Sequence, residues 1–444
     1  MGRLWDGLHP STARTAARSP GSQELKTKVH RKLIETIDLA QAQRLTFEEL
    51  RQECLRRVDV LVELERCPLS AAEKKQVVDE VMDEVFGLGP LEGLMRDPTI
   101  SDILANGAHK VYIERNGVLE LTSATFRDQN HLLQVIQRIA SHIGRRVDES
   151  APMLDARLSD GSRVNAIIPP LALDGPMLSI RRFGKHAITI DRLLALGAMT
   201  AEIETFLRAC VISKVNILIS GGTGTGKTTL LNALSQWIPV GERVVTIEDA
   251  AELQLQREHV VRLETRPPNI EGKGEVTQRD LLRNSLRMRP DRIVIGEVRG
   301  AEALDMLQAM NTGHEGSMTT VHANNPWDAL RRIENMVSMA GLNYPVQAIR
   351  EQMVSALHLV IQVGRLTGGR RKLLCIVETR GVENGAIRLQ ELFHFKQTGV
   401  GADGHAVGEF SACGHRPHLL ERLAAQGVEL PDEIFEQRRA CPVP

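Results

Sequence analysis

Apolar and polar positions along the 444-residue chain change period twice, and those changes mark out its parts. Residues 1–24 mix Gly, Ser, Thr, Pro and Arg without an apolar period, which predicts a disordered tail that buries nothing. Helical spacing starts at residue 25. Leu33, Ile34 and Ile37 share one face, as do Leu61 and Leu64, and Ala71 to Phe86 runs without Gly or Pro behind a Ser70 cap. About three amphipathic helices over 25–86 are predicted. Gly87, Gly89, Pro90 and Gly93 then break the period. Short strand-like runs follow at Val111–Glu114, Val118–Leu121, Arg163–Ile168 and Leu178–Arg182, around a helix near His131–Ile143, so residues 87–183 read as a small α+β domain.

Residues 184–190 read as a linker. From 191 to 398 buried apolar runs alternate with glycine loops and helical stretches, the pattern of a parallel α/β sheet. Residues 399–444 are rich in Gly, His and Pro with one helix-like run at Leu419–Gln426, and read as a C-terminal extension.

Composition narrows the chemistry. Lys plus Arg number 55 against 56 for Asp plus Glu, a net charge of -1, so the chain has no global cationic field and nucleic acid is not expected as its main partner. The six cysteines (Cys54, Cys67, Cys210, Cys375, Cys413 and Cys441) include no CxxC pair, which argues against a disulfide framework and a four-cysteine zinc site and for a reducing, cytoplasmic setting. No run approaches a membrane-spanning length, and the N-terminus lacks the apolar middle of a secretory signal.

The most specific local feature is the run Gly221-Gly222-Thr223-Gly224-Thr225-Gly226-Lys227-Thr228-Thr229, which follows the apolar stretch Val215–Ser220 and precedes helical Leu230–Leu234. Glycines allow consecutive backbone N–H groups to point at phosphate oxygens, and the helix end behind them favours anions. Lys227 is expected on the β- and γ-phosphates of ATP, the Thr228 hydroxyl on Mg2+, and Thr229 on the α-phosphate. Hydrolysis further needs acids to hold metal and orient water at the ends of neighbouring strands. Arg243–Ile247 delivers Glu248 and Asp249, with Glu252 one turn later; Arg292–Gly296 delivers Glu297, with Gly296 where an Asp is usual. Glu297 is expected on the metal side and Glu248 on the water, though the two roles are interchangeable on these grounds. Taken alone, such acids cap strand-to-helix turns; beside a phosphate loop the catalytic reading is preferred. A later strand ends at His322, expected to contact the γ-phosphate region, although a lone histidine is more often a core or capping residue. Arg163, Arg181 and Arg182, with Arg283, Arg287, Arg289, Arg292 and Arg299, are candidates to stabilise a transferring phosphoryl group, set against ordinary surface ion pairing.

With Ile247-Glu248-Asp249, Gly296-Glu297-Val298-Arg299-Gly300 and Thr320-Val321-His322-Ala323-Asn324 in this order, the chain resembles the secretion ATPase superfamily of type II, type IV and pilus systems, in which Gly before that Glu is expected. Phe86-Gly87-Leu88-Gly89-Pro90-Leu91-Glu92, Asp160-Gly161-Ser162-Arg163-Val164-Asn165 and Ser179-Ile180-Arg181-Arg182-Phe183 resemble its CpaF (TadA) branch, which powers Tad/Flp pilus assembly. The resemblance implies a cytoplasmic homo-oligomer, a hexamer, at the inner face of the cytoplasmic membrane, working with inner-membrane platform proteins. It also implies a RecA-like ATPase domain behind a PAS-like domain and a helical bundle, with Arg163, Arg181 and Arg182 reaching the nucleotide. VirB11-like type IV secretion ATPases are the nearest rival. Two other classes stay open: a nucleotide-gated scaffold with little turnover, and a DNA translocase, which the charge disfavours.

Overall fold

In the computed structural model the described residues are 47–64, 70–85, 87–115, 117–182, 188–268, 272–341, 344–437 and 442–443. The expected tail, the helical face of Leu33, Ile34 and Ile37, and most of the linker lie outside them. The chain divides into two compact units, residues 1–183 and 184–444.

Two helices open the first unit, α1 (Phe47–Leu64) and α2 (Ala71–Val85). Ser70 caps α2 in a box: Glu73 N donates to Ser70 Oγ at 3.3 Å, and Ser70 N donates to the Glu73 carboxylate at 2.9 Å. The short helix α3 (Glu92–Arg96) leads to a six-stranded antiparallel sheet of β1 (Ile100–Asn106), β2 (Val111–Arg115), β3 (Val118–Leu121), β4 (Met153–Arg157), β5 (Arg163–Ile167) and β6 (Met177–Arg181), in the order β3-β2-β1-β6-β5-β4. Helix α4 (Gln129–His142), N-capped by the Asp128 carboxylate, buries Leu132, Val135, Ile136 and Ile139 against Ile103, Val111, Val164 and Ile180 of the sheet. β1 and β4, which the sequence patterning misses, are among its strands. The helical residues 47–85 and the sheet form one unit, where the pattern suggests two domains: the Glu84 carboxylate lies 2.7 Å from His131 Nε2 of α4.

The second unit is built on one ten-stranded sheet. Helices α5 (Ile190–Ala195) and α6 (Ala201–Ile212) precede β7 (Ile217–Gly221), α7 (Lys227–Ser235), β8 (Val244–Glu248), β9 (Val260–Glu264), α8 (Gln278–Ser285) and β10 (Arg292–Ile295). Then come α9 (Glu302–Asn311), β11 (Met318–Val321), α10 (Pro326–Ser338), α11 (Val346–Ala356), β12 (Leu359–Arg365), β13 (Arg371–Glu383), β14 (Ala386–Val400), β15 (Ala406–Ala412), α12 (Leu419–Ala425) and β16 (Pro442–Val443). The order is β16-β15-β14-β13-β12-β7-β11-β10-β8-β9. From β12 to β9 neighbours are parallel; from β12 to β16 they are antiparallel. The central parallel strands β7, β8, β10 and β11 are buried on both faces, as continuous apolar runs require, while the edge strand β9 is half-exposed. Along β7, Ile217 and Ile219 enter one core with α6 and α7, while Leu218 enters the other with α9, α10 and α11.

Two expectations give way here. The sheet is mixed, because its last strands form an antiparallel ribbon that spacing did not reveal. The boundary at residue 398/399 falls inside β14, and Leu419, Leu420, Leu423 and Phe435 lie in the same core as Phe206 and Phe393. The ring of Phe435 sits edge-on to Phe206 at 5.4 Å and tilted to Phe393 at 5.7 Å. Residues beyond 398 therefore complete this unit. Phe435→Ala is expected to destabilise it by about 3–5 kcal/mol, read as a lowered denaturation midpoint by circular dichroism; an unchanged midpoint would show those residues to be dispensable.

Candidate functional site

β7 is buried throughout and ends at Gly221, where a Cβ would lie 2.6 Å from Thr225 Oγ1 and 2.6 Å from the Val363 carbonyl. The chain then turns through Gly224 (φ 69°) and Gly226 (φ 96°), left-handed positions that glycine adopts without strain, and enters α7 at Lys227. Thr225 Oγ1 donates to the Gly222 carbonyl at 2.9 Å, closing the loop on itself. Gly222, Thr228 and Thr229 are half-buried, and Thr223 is exposed. Lys227 is only 8% exposed and donates from Nζ to the carbonyls of Gly221 (3.0 Å) and Gly222 (2.8 Å). Burial lowers its pKa, with the Glu297 charge opposing.

Strand order delivers the remaining groups. β11 lies between β7 and β10, and β8 lies beyond β10, all parallel, with Val321 opposite Ser220 and Ile295 opposite both Thr319 and Ile247. Their carboxyl ends therefore lie side by side, and His322, Glu297, Glu248 and Asp249 emerge beside the loop. A chain of contacts results. Lys227 Nζ is 3.3 Å from His322 Nε2, which is 3.4 Å from the Glu297 carboxylate; Glu297 takes a 2.9 Å ion pair from Arg299, which lies 3.4 Å from Asp249. Burial lowers the His322 pKa and the Lys227 charge adds to that, with Glu297 opposing, so the imidazole is neutral at neutral pH. The Glu252 charge acts on Arg299, placing that residue at the margin of the cluster.

Glu248 differs from the other acids. It is buried, accepts hydrogen bonds from the backbone N–H of Glu252 (2.7 Å) and Leu253 (2.9 Å), and leaves its second oxygen buried without a partner. Burial pushes its pKa up to about 7, against the two amides. The place of Gly296 now has a steric reason: a Cβ there would lie 2.9 Å from Glu248 Cγ, so the side chain of β8 fills the space that the usual Asp would need.

Residues 84–398 match the type II/IV secretion system protein family. The chain belongs to that family. It is 38% identical over 317 residues to a Mycobacterium tuberculosis protein named for conjugal transfer, covering 70% of this chain and 89% of that one. It is 32% identical to the type IV secretion system protein VirB11 of Brucella suis, covering 63% of this chain and 84% of that one. A likeness in fold extends to the solved pilus retraction motor PilT with bound ADP, at 20% identity and a TM-score of 0.50 over 65% of this chain and 81% of that one. Membership places the chain among ATP-hydrolysing secretion proteins.

In this secretion-family chain some functional features lie beyond local spacing. Arg371, at the start of β13, donates from Nε to the Gly224 carbonyl at 2.8 Å and so braces the glycine loop. Beside the loop's Thr225, Gly226 and Thr229, a cavity of about 400 Å3 is walled by Leu193, Met199, Leu230, Val363 and Leu373, a size and lining suited to an aromatic heterocycle. Its walls come from α5, α7, β12, β13 and the loop before α6, elements too far apart in sequence for a motif to announce them. The candidate arginines separate. Arg292 is fully buried, pairs with Glu242 and donates to the Val211 carbonyl at 2.7 Å, so it is structural. Arg283, with Arg279, pairs with Asp305. Arg299 belongs to the cluster. Arg163, Arg181 and Arg182 lie in the first unit: Arg181 faces Asp102 on one side and Arg163 on the other, while Arg182 donates to the carbonyls of Asp97 and Ile100.

Glu248 sets a pH signature. Its folded pKa of about 7 exceeds the unfolded value, so its protonated form contributes stability that is fully present below about pH 4 and lost as pH rises through 7. Glu248→Gln removes this dependence. The stability of the variant relative to the parent is expected to rise by on the order of 3 kcal/mol from pH 4 to 8, measured by urea denaturation; parallel curves would show the carboxyl to be ordinary.

Proposed function

We propose that this chain is the ATP-driven motor of a Tad/Flp-type pilus or secretion machine, of the CpaF (TadA) branch, acting as a homohexamer at the inner face of the cytoplasmic membrane with inner-membrane platform proteins. The observation that carries the reading is the unbroken contact path from Lys227 through His322 to Glu297 and Arg299, beside a complete phosphate loop. Among the described residues no helix is long and apolar enough to cross a membrane, which fits attachment through partners.

In this reading the loop amides from Gly221 to Thr229 and the Lys227 ammonium bind the triphosphate, and the apolar cavity takes the base. Hard oxygen donors suit Mg2+, and the half-buried Thr228 hydroxyl with the Glu297 carboxylate supplies them. When bound, the ion neutralises charge on the phosphates. Glu248 orients the attacking water through its unpartnered oxygen, aided by a pKa close to neutrality. Asp249 and Glu252 hold Arg299 in place. His322, bridging Lys227 and Glu297, reports whether a γ-phosphate is present, because that group competes for the same ammonium. The first unit corresponds to the helical bundle and the PAS-like domain. Arg163 and Arg181 are its candidates for the nucleotide; Arg182 spends donors on the start of β1 and acts as a strut.

A VirB11-like type IV secretion ATPase is the second reading, favoured by the extent of the VirB11 match. Lys227→Ala is expected to lower steady-state phosphate release by a factor on the order of 100 or more, with folding unchanged by circular dichroism. Release at the parental rate would remove this site from the chemistry. No release by the parent itself, despite nucleotide binding, would favour a scaffold. Mass photometry with a nonhydrolysable ATP analogue is expected to give six subunits; a monomer would overturn the assembly.

A further inference from the structure

The antiparallel ribbon of the second unit gathers a set of soft and borderline ligands with no part in the nucleotide site. Cys375 on β13 pairs directly with His394 on β14, so both side chains project from one face of the sheet. His394 in turn pairs with Ser411 on β15, and Cys413, two residues on, returns to that face. Glu391 is an odd number of residues from His394 and ought to point the other way. A bulge prevents this: Ile376 pairs with Phe393 but Val377 pairs with Glu391, leaving Leu392 as the extra residue. Leu392 and Phe393 both enter the core, and Glu391 is turned to the side of His394.

The side chains meet. His394 Nδ1 lies 3.3 Å from Cys413 Sγ, and one ligand atom from each of Glu391, His394 and Cys413 falls within 4.8 Å of the others. Tetrahedral coordination at roughly 2.0–2.3 Å per bond separates ligand atoms by roughly 3.3–3.8 Å, so closure on an ion asks only for small side-chain rotations. Cys375, directly opposite His394 in the ladder, presents its sulfur on the same face of the sheet. Thiolate, imidazole and carboxylate together select a borderline-soft cation over Mg2+ or Ca2+.

The geometry points to a structural site for a Zn2+-class cation formed by Cys413, His394 and Glu391, with Cys375 as fourth donor. Binding breaks the S–H bond of each ligating cysteine; the sulfur keeps the electron pair and the proton leaves to solvent. The ion then clips β13, β14 and β15 together at the bulge. It stands apart from the phosphate loop chemistry, and the inference holds whether or not the motor reading does.

The test is elemental analysis of the full-length chain, purified without chelator, supplied with Zn2+ and passed through gel filtration. About one zinc per chain is expected for the parent and for Lys227→Ala, falling to less than about a tenth in Cys413→Ser and His394→Ala. Exchange with Co2+ is expected to give a near-ultraviolet thiolate-to-cobalt band that Cys413→Ser lacks. Should these variants fail to fold, the parent alone decides: Zn2+ is expected to slow the reaction of its thiols with a disulfide reagent at least about tenfold after chelator stripping. Zinc-free parent protein after loading, equal zinc in parent and variants, or thiol reactivity indifferent to Zn2+ would each overturn the site.

Discussion

One desolvated ammonium organises the centre of the second unit. Lys227 has given up most of its water, and a cation in that position is tolerated only if oxygen and nitrogen lone pairs replace the lost hydration. Gly221 and Gly222 supply two carbonyls, His322 a neutral ring, and Glu297 the compensating charge. None of these could reach it from an arbitrary sheet. The insertion of β11 between β7 and β10 puts the histidine next to the lysine and the glutamate next to the histidine. Strand order is thus the constraint, and the contact path is its consequence.

The same constraint explains the division of labour among the acids. Glu297 lies one strand from His322 and is held by Arg299, so its carboxylate is charge-balanced in the cluster. Glu248 lies one strand further out, beneath Gly296, with two amides on one oxygen and nothing on the other. Two carboxylates a few residues from the same sheet edge are thereby given different environments, one ion-paired and one pushed toward neutrality by burial. Environments that separate acids in this way are what acid–base and water-orienting chemistry requires.

Much of this was readable from the chain because the parallel strands are short, continuous apolar runs that each end in a chemically distinctive residue: Gly221, Glu248, Gly296-Glu297, His322. Each run announces itself locally. Their lateral order does not, because register between strands is a non-local property, and so the 3.3 Å approach of Lys227 to His322 follows only once β11 is placed beside β7. Gly296 shows the limit well. The family resemblance makes a glycine expected there but gives no reason for it, and the steric reason appears once Glu248 is seen against it. The ribbon escaped notice for another reason: β13 and β14 mix buried and half-exposed positions irregularly around their bulges, so neither a period of two nor an apolar run survives. The Glu391, His394 and Cys413 cluster depends on one such bulge, which no spacing rule anticipates.

The ribbon also bears on how the glycine loop is held. β12 pairs in parallel with β7, with Val363 opposite Gly221, and pairs antiparallel with β13, with Arg365 opposite Arg371. Arg371 then reaches back to the Gly224 carbonyl, and its neighbour Lys372 donates to Gly197 at 2.6 Å beside the apolar cavity. The glycine loop after β7 is therefore held twice by the same ribbon, once through the backbone ladder and once through a side chain. From there β13, β14 and β15 continue as one antiparallel ladder away from the parallel half. The parallel half of the sheet, which carries the candidate site, and the antiparallel ribbon are thus joined at β12 by backbone pairing on both of its edges.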